Sequence, residues 1–212
     1  MQLVLVAFVA FPAIAGTLRL VELAGGPATL PADPRMTSSP LPIAAHVVGA
    51  IGFAVLGALQ LSGGLRRRYP GWHRMAGRIT VALGLAVAIS ALWMTIRYAR
   101  QPGSGEIAFM LRIAFSSLMA ACLVLGVATV RRGDVAAHRA WMIRAYAIAL
   151  AAATQMFTLG FGAAILGTGV VAHDVSLGSA WLINLAVAEV IIRRGMRRRP
   201  RVGAPRPAVL TS

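Results

Sequence analysis

The sequence predicts an all-α protein, a polytopic membrane helix bundle of six transmembrane helices with both termini cytoplasmic, and three observations predict it. Hydrophobic residues make up 58% of the chain and the mean hydropathy is +0.75, whereas roughly half the residues of a soluble domain are apolar. The apolar residues fall in uninterrupted runs, most of them the ~18 to 22 residues that cross a hydrocarbon layer as a helix. The net charge of +15 lies in short arginine blocks between those runs, not on one amphipathic surface, which argues against nucleic acid as a partner.

Taken in order, the runs are Leu3 to Leu18, Leu41 to Leu61, Ile79 to Ile96, Ile113 to Val130, Ala145 to Leu166 and Val175 to Ile192. The first is short, and Ala13-Ile14-Ala15 has the form of a signal-peptidase site. It lacks a positively charged start, however, so residues 1–24 are read as a retained anchor helix. Gly25 to Pro40, rich in Pro, Gly, Ser and Thr, reads as a surface loop. Residues 41–192 form a five-helix membrane core, and 193–212, basic and carrying Pro200, Pro205 and Pro207, read as a disordered cytoplasmic tail.

Orientation follows from arginine. With the chain starting inside, sixteen arginines lie at inner loops, inner helix ends and the tail, and five lie outside: Arg19, Arg35, Arg97, Arg100 and Arg112. The positive-inside rule selects this arrangement, and it puts Trp72 and Trp141 at the inner interface and Trp93 and Trp181 near the outer one. All 21 basic residues are arginine, a usage that a GC-rich genome explains as well as phosphate binding does. Cys122 is the one cysteine and falls mid-span, which excludes intrachain disulfides.

Lipid gives helices no hydrophobic reason to associate, so small residues and buried polar contacts must do it; the Gly- and Ala-rich faces are also compatible with a homo-oligomer. On the second run His46, Gly49, Phe53, Gly57 and Gln60 share one face at about 100° per residue. That face should point inward, its glycines admitting a neighbouring backbone or, less readily, a flat ligand. On the fifth, His138, Met142, Ala149 and Met156 form one stripe and Arg144, Ile148, Ala151, Gln155 and Thr158 another. An ionised arginine at Arg144 needs an acidic partner, a ligand or a route for snorkelling. Glu189 has Arg193 four residues on, so an i,i+4 pair is expected there, with a Glu189 to Arg144 contact as the other arrangement.

Two arginine-histidine segments precede membrane-crossing helices: RRRYPGWHRMAGR from Arg66 and RRGDVAAHRAWMIR from Arg131. Pro70 suits a first helical position and Asp134 an N-cap, which puts His73 and His138 at equivalent places near two helix starts. Helix starts beside arginines attract phosphate or carboxylate, and His73, Arg74, Arg78, His138, Arg139 and Arg144 are the candidate ligand-binding residues. The bland alternative is that the arginines only anchor helices to anionic lipid headgroups. A second chemistry uses His73 and His138 as axial ligands of haem b. His46 with His173, placed in a loop, makes a weaker outer pair. His46 and Gln60 could instead mark a polar path through a small transporter, although no half-helix break is visible in the sequence. Enzyme chemistry finds little purchase: six acidic residues, four histidines and one cysteine assemble no Ser-His-Asp set, paired carboxylates or metal-ligand spacing. His138 with Asp134 could form a base and its orienter, but capping already explains Asp134.

His46 ahead of a Gly/Ala-rich helix ending at Gln60, then RRRYPGWHRMAGR, then HRAWMIRAY from His138 to Tyr146, give a chain that resembles the bacterial membrane-protein family catalogued as domain of unknown function 2306. The resemblance covers Leu41 to Thr158 and leaves the first helix and the tail outside. It implies a multipass membrane protein with His46, His73, His138 and Arg144 at motif positions, and no established activity. The expected role is a binding or scaffold protein with an anionic lipid or ligand at the inner-face cluster, ahead of haem electron transfer and then transport.

Overall fold

The computed structural model describes residues 2–31, 39–101 and 103–197, with side chains from Phe8 to Met196 within those ranges. The described residues form eight helices: α1 Gln2–Leu23, α2 Pro40–Gln60, α3 Gly63–Arg68, α4 Pro70–Arg97, α5 Glu106–Arg131, α6 Val135–Ala149, α7 Ala151–Leu166 and α8 Val170–Arg197. Four of them, α2, α4, α5 and α8, are long and apolar enough to cross a membrane, and α6 with α7 makes a fifth span if the bent pair is counted as one. The helices outrun the apolar segments because hydropathy marks only the apolar stretch, while helical turns continue through the polar residues at its ends. The last one runs to Arg197, into the segment expected as a tail; residues 198–212 and 32–38 of the expected loop lie outside the described residues.

The chain goes up and down between two ends. α2 packs on α4, α4 on α5, α5 on α6 and α7 on α8, while α8 also crosses α6 and α1 covers α2. The core is built of Phe53, Val87, Ala88, Phe115, Met119, Cys122, Leu123 and Tyr146. The predicted inward face of α2 is buried at Gly49, Phe53 and Gly57. A Cβ at Gly49 would sit 3.2 Å from the Leu83 carbonyl, so this glycine admits the α4 backbone. At Gly57 the occupant is flat, but it is the protein's own: the Tyr146 ring fills the space, and its hydroxyl donates to the Ala54 carbonyl at 2.8 Å. Trp181, expected near an interface, stacks on Phe115 with ring centroids 4.8 Å apart and so packs within the bundle.

The expected single span from Ala145 to Leu166 is broken at Leu150, where α6 and α7 meet at 44°. Nothing local asks for this. The stretch Ala145 to Met156 holds neither proline nor glycine, and its Ala and Leu are among the best helix formers. The cause lies on α8: Asn184 Nδ2 donates to the Ala147 carbonyl at 3.1 Å, and Thr154 Oγ1 donates to Asn184 Oδ1 at 2.9 Å. A side chain inserted into the i→i−4 ladder is a known cause of a kink. The break also interrupts the two stripes expected along this span, so Arg144 and Gln155 belong to differently directed segments.

Candidate functional site

At the end of the bundle where α2 finishes and α4 and α6 begin, the two arginine-histidine segments come together in the same local design. Ser62 caps the short α3, accepting from Leu65 N–H at 3.3 Å, and Pro70 opens α4. The His73 N–H then reaches the Tyr69 carbonyl at 3.1 Å, in the first turn. In the second copy Gly133, at φ 80°, turns the chain and Asp134 caps α6, accepting from Ala137 N–H at 2.9 Å; His138 N–H reaches the Asp134 carbonyl at 3.0 Å. Each histidine is thus four residues past its cap. Arg66, Arg74 and His138 are electrostatic neighbours of His73. Asp134 does not orient the His138 ring, whose Nδ1 lies 2.8 Å from the Gly126 carbonyl and ties α6 to α5.

Arg144 has a different role from its neighbours. Its Nε and Nη2 donate to the two oxygens of Glu189 at 2.5 and 3.1 Å, and its guanidinium lies 4.9 Å from the centre of the Trp141 ring. The arrangement between helices is the one formed, a two-point fork joining α6 to α8, with Arg193 remaining an electrostatic neighbour of Glu189. Arg66, Arg67, Arg68, Arg74, Arg78, Arg131, Arg132 and Arg139 are exposed. At this end the described carboxylates are Asp134, used as a cap, and Glu189, taken by Arg144. Arg139 extends across Gly195 near the end of α8.

His46 and Gln60 line the contact between α2 and α4, His46 within the bundle and Gln60 at the end where the cluster lies. His46 Nδ1 lies 3.1 Å from Ser90 Oγ and 3.2 Å from the Val87 carbonyl, and Gln60 lies against Gly77, so both serve the α2–α4 contact. His173, expected in a loop, stands in the first turn of α8, 3.1 Å from the Asp174 carboxylate. Asp174 is 1% exposed and accepts from Gly105 N–H at 3.1 Å and Ala108 N–H at 3.0 Å, capping α5 from another helix. Neither Asp174 nor Asn184 belongs to a motif that singles it out in the sequence. Both are polar side chains within apolar helices, which is by itself a marker of importance.

Long apolar helices, with polar side chains spent on helix-to-helix contacts, define a multipass helical membrane protein. The family described as predicted membrane protein (DUF2306) matches residues 43–192, and the chain belongs to it. The match continues past Thr158 into the last helix, as far as Ile192, further than the two motif strings reach. Neither a curated protein nor a solved structure matches the chain.

Proposed function

We propose that the arginine-rich end is a binding site for an anionic phospholipid headgroup, in a binding or scaffold protein that crosses the bacterial inner membrane six times with both termini in the cytoplasm. The observation that carries this reading is the charge imbalance: eight exposed arginines surround two helix starts whose nearby carboxylates are already engaged. Each arginine near an anionic leaflet contributes on the order of 1 kcal/mol, and exposed N–H groups at a helix start add direction. The ligand set is His73, Arg74, Arg78, His138 and Arg139; Arg144, held by Glu189, fastens α6 to α8. Six spans require α1 to cross beside the five, and its 22 residues are long enough.

The test is thermal unfolding of the purified protein with added phosphatidylglycerol, phosphatidylcholine or inorganic phosphate. Phosphatidylglycerol should raise Tm in the wild type, and Arg74→Gln with Arg139→Gln should remove most of that shift while leaving the lipid-free Tm in place. Equal shifts with phosphatidylcholine, or an unchanged shift in the variant, would overturn the reading, and a response to phosphate alone would make the ligand a soluble anion.

One observation favours the haem b reading as second. With its proton on Nδ1, His138 donates to the Gly126 carbonyl and leaves Nε2 as the free donor atom, the arrangement common to ligating histidines. An oxidised and dithionite-reduced spectrum decides it: purified from haem-supplied cells, a protein without a reducible Soret band does not use His73 and His138 in this way.

A further inference from the structure

We infer that Gly195 is a positioning residue for Arg139, and that through it the last turns of α8 belong to the anion site. This rests on the reading of the arginine-rich end as a headgroup site. A Cβ at Gly195 would run into Arg139 Nη1 and lie 3.5 Å from its Cζ and 3.6 Å from its Nη2, so the guanidinium lies across bare backbone. The described glycines with positive φ are Gly25, Gly103, Gly133 and Gly167. Gly195 has the ordinary backbone of α8, so what it contributes is the missing side chain. Helices accept glycine less readily than alanine, and the space taken by Arg139 is a reason for it here.

Arg139 meets Gly195 because the register of α6 against α8 is fixed deeper in the bundle. The fork from Arg144 to Glu189 ties the two helices, and Ile143 and Ala147 cluster with Ala188 and Ile192. On α8, Ala188, Ile192 and Gly195 follow at the i, i+4, i+7 spacing of one helix face, while on α6 Arg139 stands one turn before Ile143. The seam therefore runs out with Arg139 opposite Gly195. Glu189, the carboxylate of this seam, is taken by Arg144, which leaves the exposed Arg139 guanidinium to an external anion. The gain for binding is preorganisation. A free arginine must be immobilised when it grips a headgroup, and one already laid across α8 gives up less freedom.

Phosphatidylglycerol titrations of the full-length protein in detergent, read as the shift in Tm, give the apparent affinity that tests this. Gly195→Ala should weaken it by about 2- to 10-fold, the worth of ordering one long side chain. Its lipid-free Tm should be no lower than that of the wild type, since alanine suits a helix better. A glycine needed only for packing would not lose lipid response while keeping stability. Arg139→Gln should also weaken binding, and adding Gly195→Ala to it should change the affinity no further, because the glycine acts through that arginine. Wild-type affinity in Gly195→Ala would overturn the inference, as would a second, equal loss when Gly195→Ala is added to Arg139→Gln. A wild type that responds equally to phosphatidylcholine would instead remove the headgroup reading itself, and the role of Gly195 with it.

Discussion

The two ends of the bundle use charged residues in opposite ways. Where α5 and α8 begin, each described carboxylate is locally engaged, since Asp174 caps α5 from across the bundle, Glu106 meets Arg100, and Glu22 meets Arg19 at 2.7 Å. Tyr98 adds a hydroxyl bond to the Ser39 carbonyl at 2.5 Å. Where α4 and α6 begin, one carboxylate is spent on a cap, one on Arg144, and the remaining arginines face outward. The first end spends its described carboxylates on contacts within the protein and so is a fastening. The second holds positive charge that its own carboxylates do not meet, an excess that membrane orientation and an external anion would both use.

The comparison breaks most sharply at Asp174. Asp174→Ala removes a buried acceptor from two N–H groups at the start of α5, and unmet buried donors cost about 1 to 3 kcal/mol each, so a loss of ~3 kcal/mol is expected in equilibrium unfolding in detergent. The same measurement on Arg74→Gln with Arg139→Gln should give less than about 0.5 kcal/mol, as exposed surface substitutions do. If the two variants lose equal stability, the ends do not differ in the way described.

How far this difference is legible in the sequence depends on what makes each feature. The basic end can be read directly, since arginine blocks between apolar runs need no tertiary information, and Pro70 and Asp134 announce their helix starts. The inward face of α2 is equally open to reading, because Gly49, Phe53 and Gly57 recur at helical spacing. The fastenings are not. Asp174 caps a helix 66 residues earlier in the chain, and Asn184 bends one 37 residues away, so their roles exist only after the helices have met. Arg144 falls between: the need for a partner is plain from its position, whereas the choice of Glu189 over a lipid or the solvent is set by the α6–α8 crossing.

A smaller effect sharpens the boundary between the two uses of arginine. Arg144 and Glu189 are paired but only partly buried, with side-chain exposures of 26% and 35%, so solvent screening keeps their coupling near ~1 kcal/mol, toward the upper end of exposed pairs. A double-mutant cycle of Arg144→Gln and Glu189→Gln should return about that value, with each single variant no worse than ~2 kcal/mol. A coupling near zero would return Arg144 to the same class as Arg74 and Arg139, available to an external anion.

The smallest expected effect separates the fork from simple charge pairing. Arg144→Lys keeps the charge but loses the two-point contact with Glu189 and the guanidinium's contact with the Trp141 ring. If the fork fixes the α6–α8 crossing, Arg144→Lys should lose roughly half of what Arg144→Gln loses, about 0.5 to 1 kcal/mol, and phosphatidylglycerol should stabilise it as much as it does the wild type. A lysine variant with full stability would reduce the contact to a point charge. A variant with normal stability but a weakened lipid response would place Arg144 in the binding set after all, because only a headgroup would then be sensing the lost geometry.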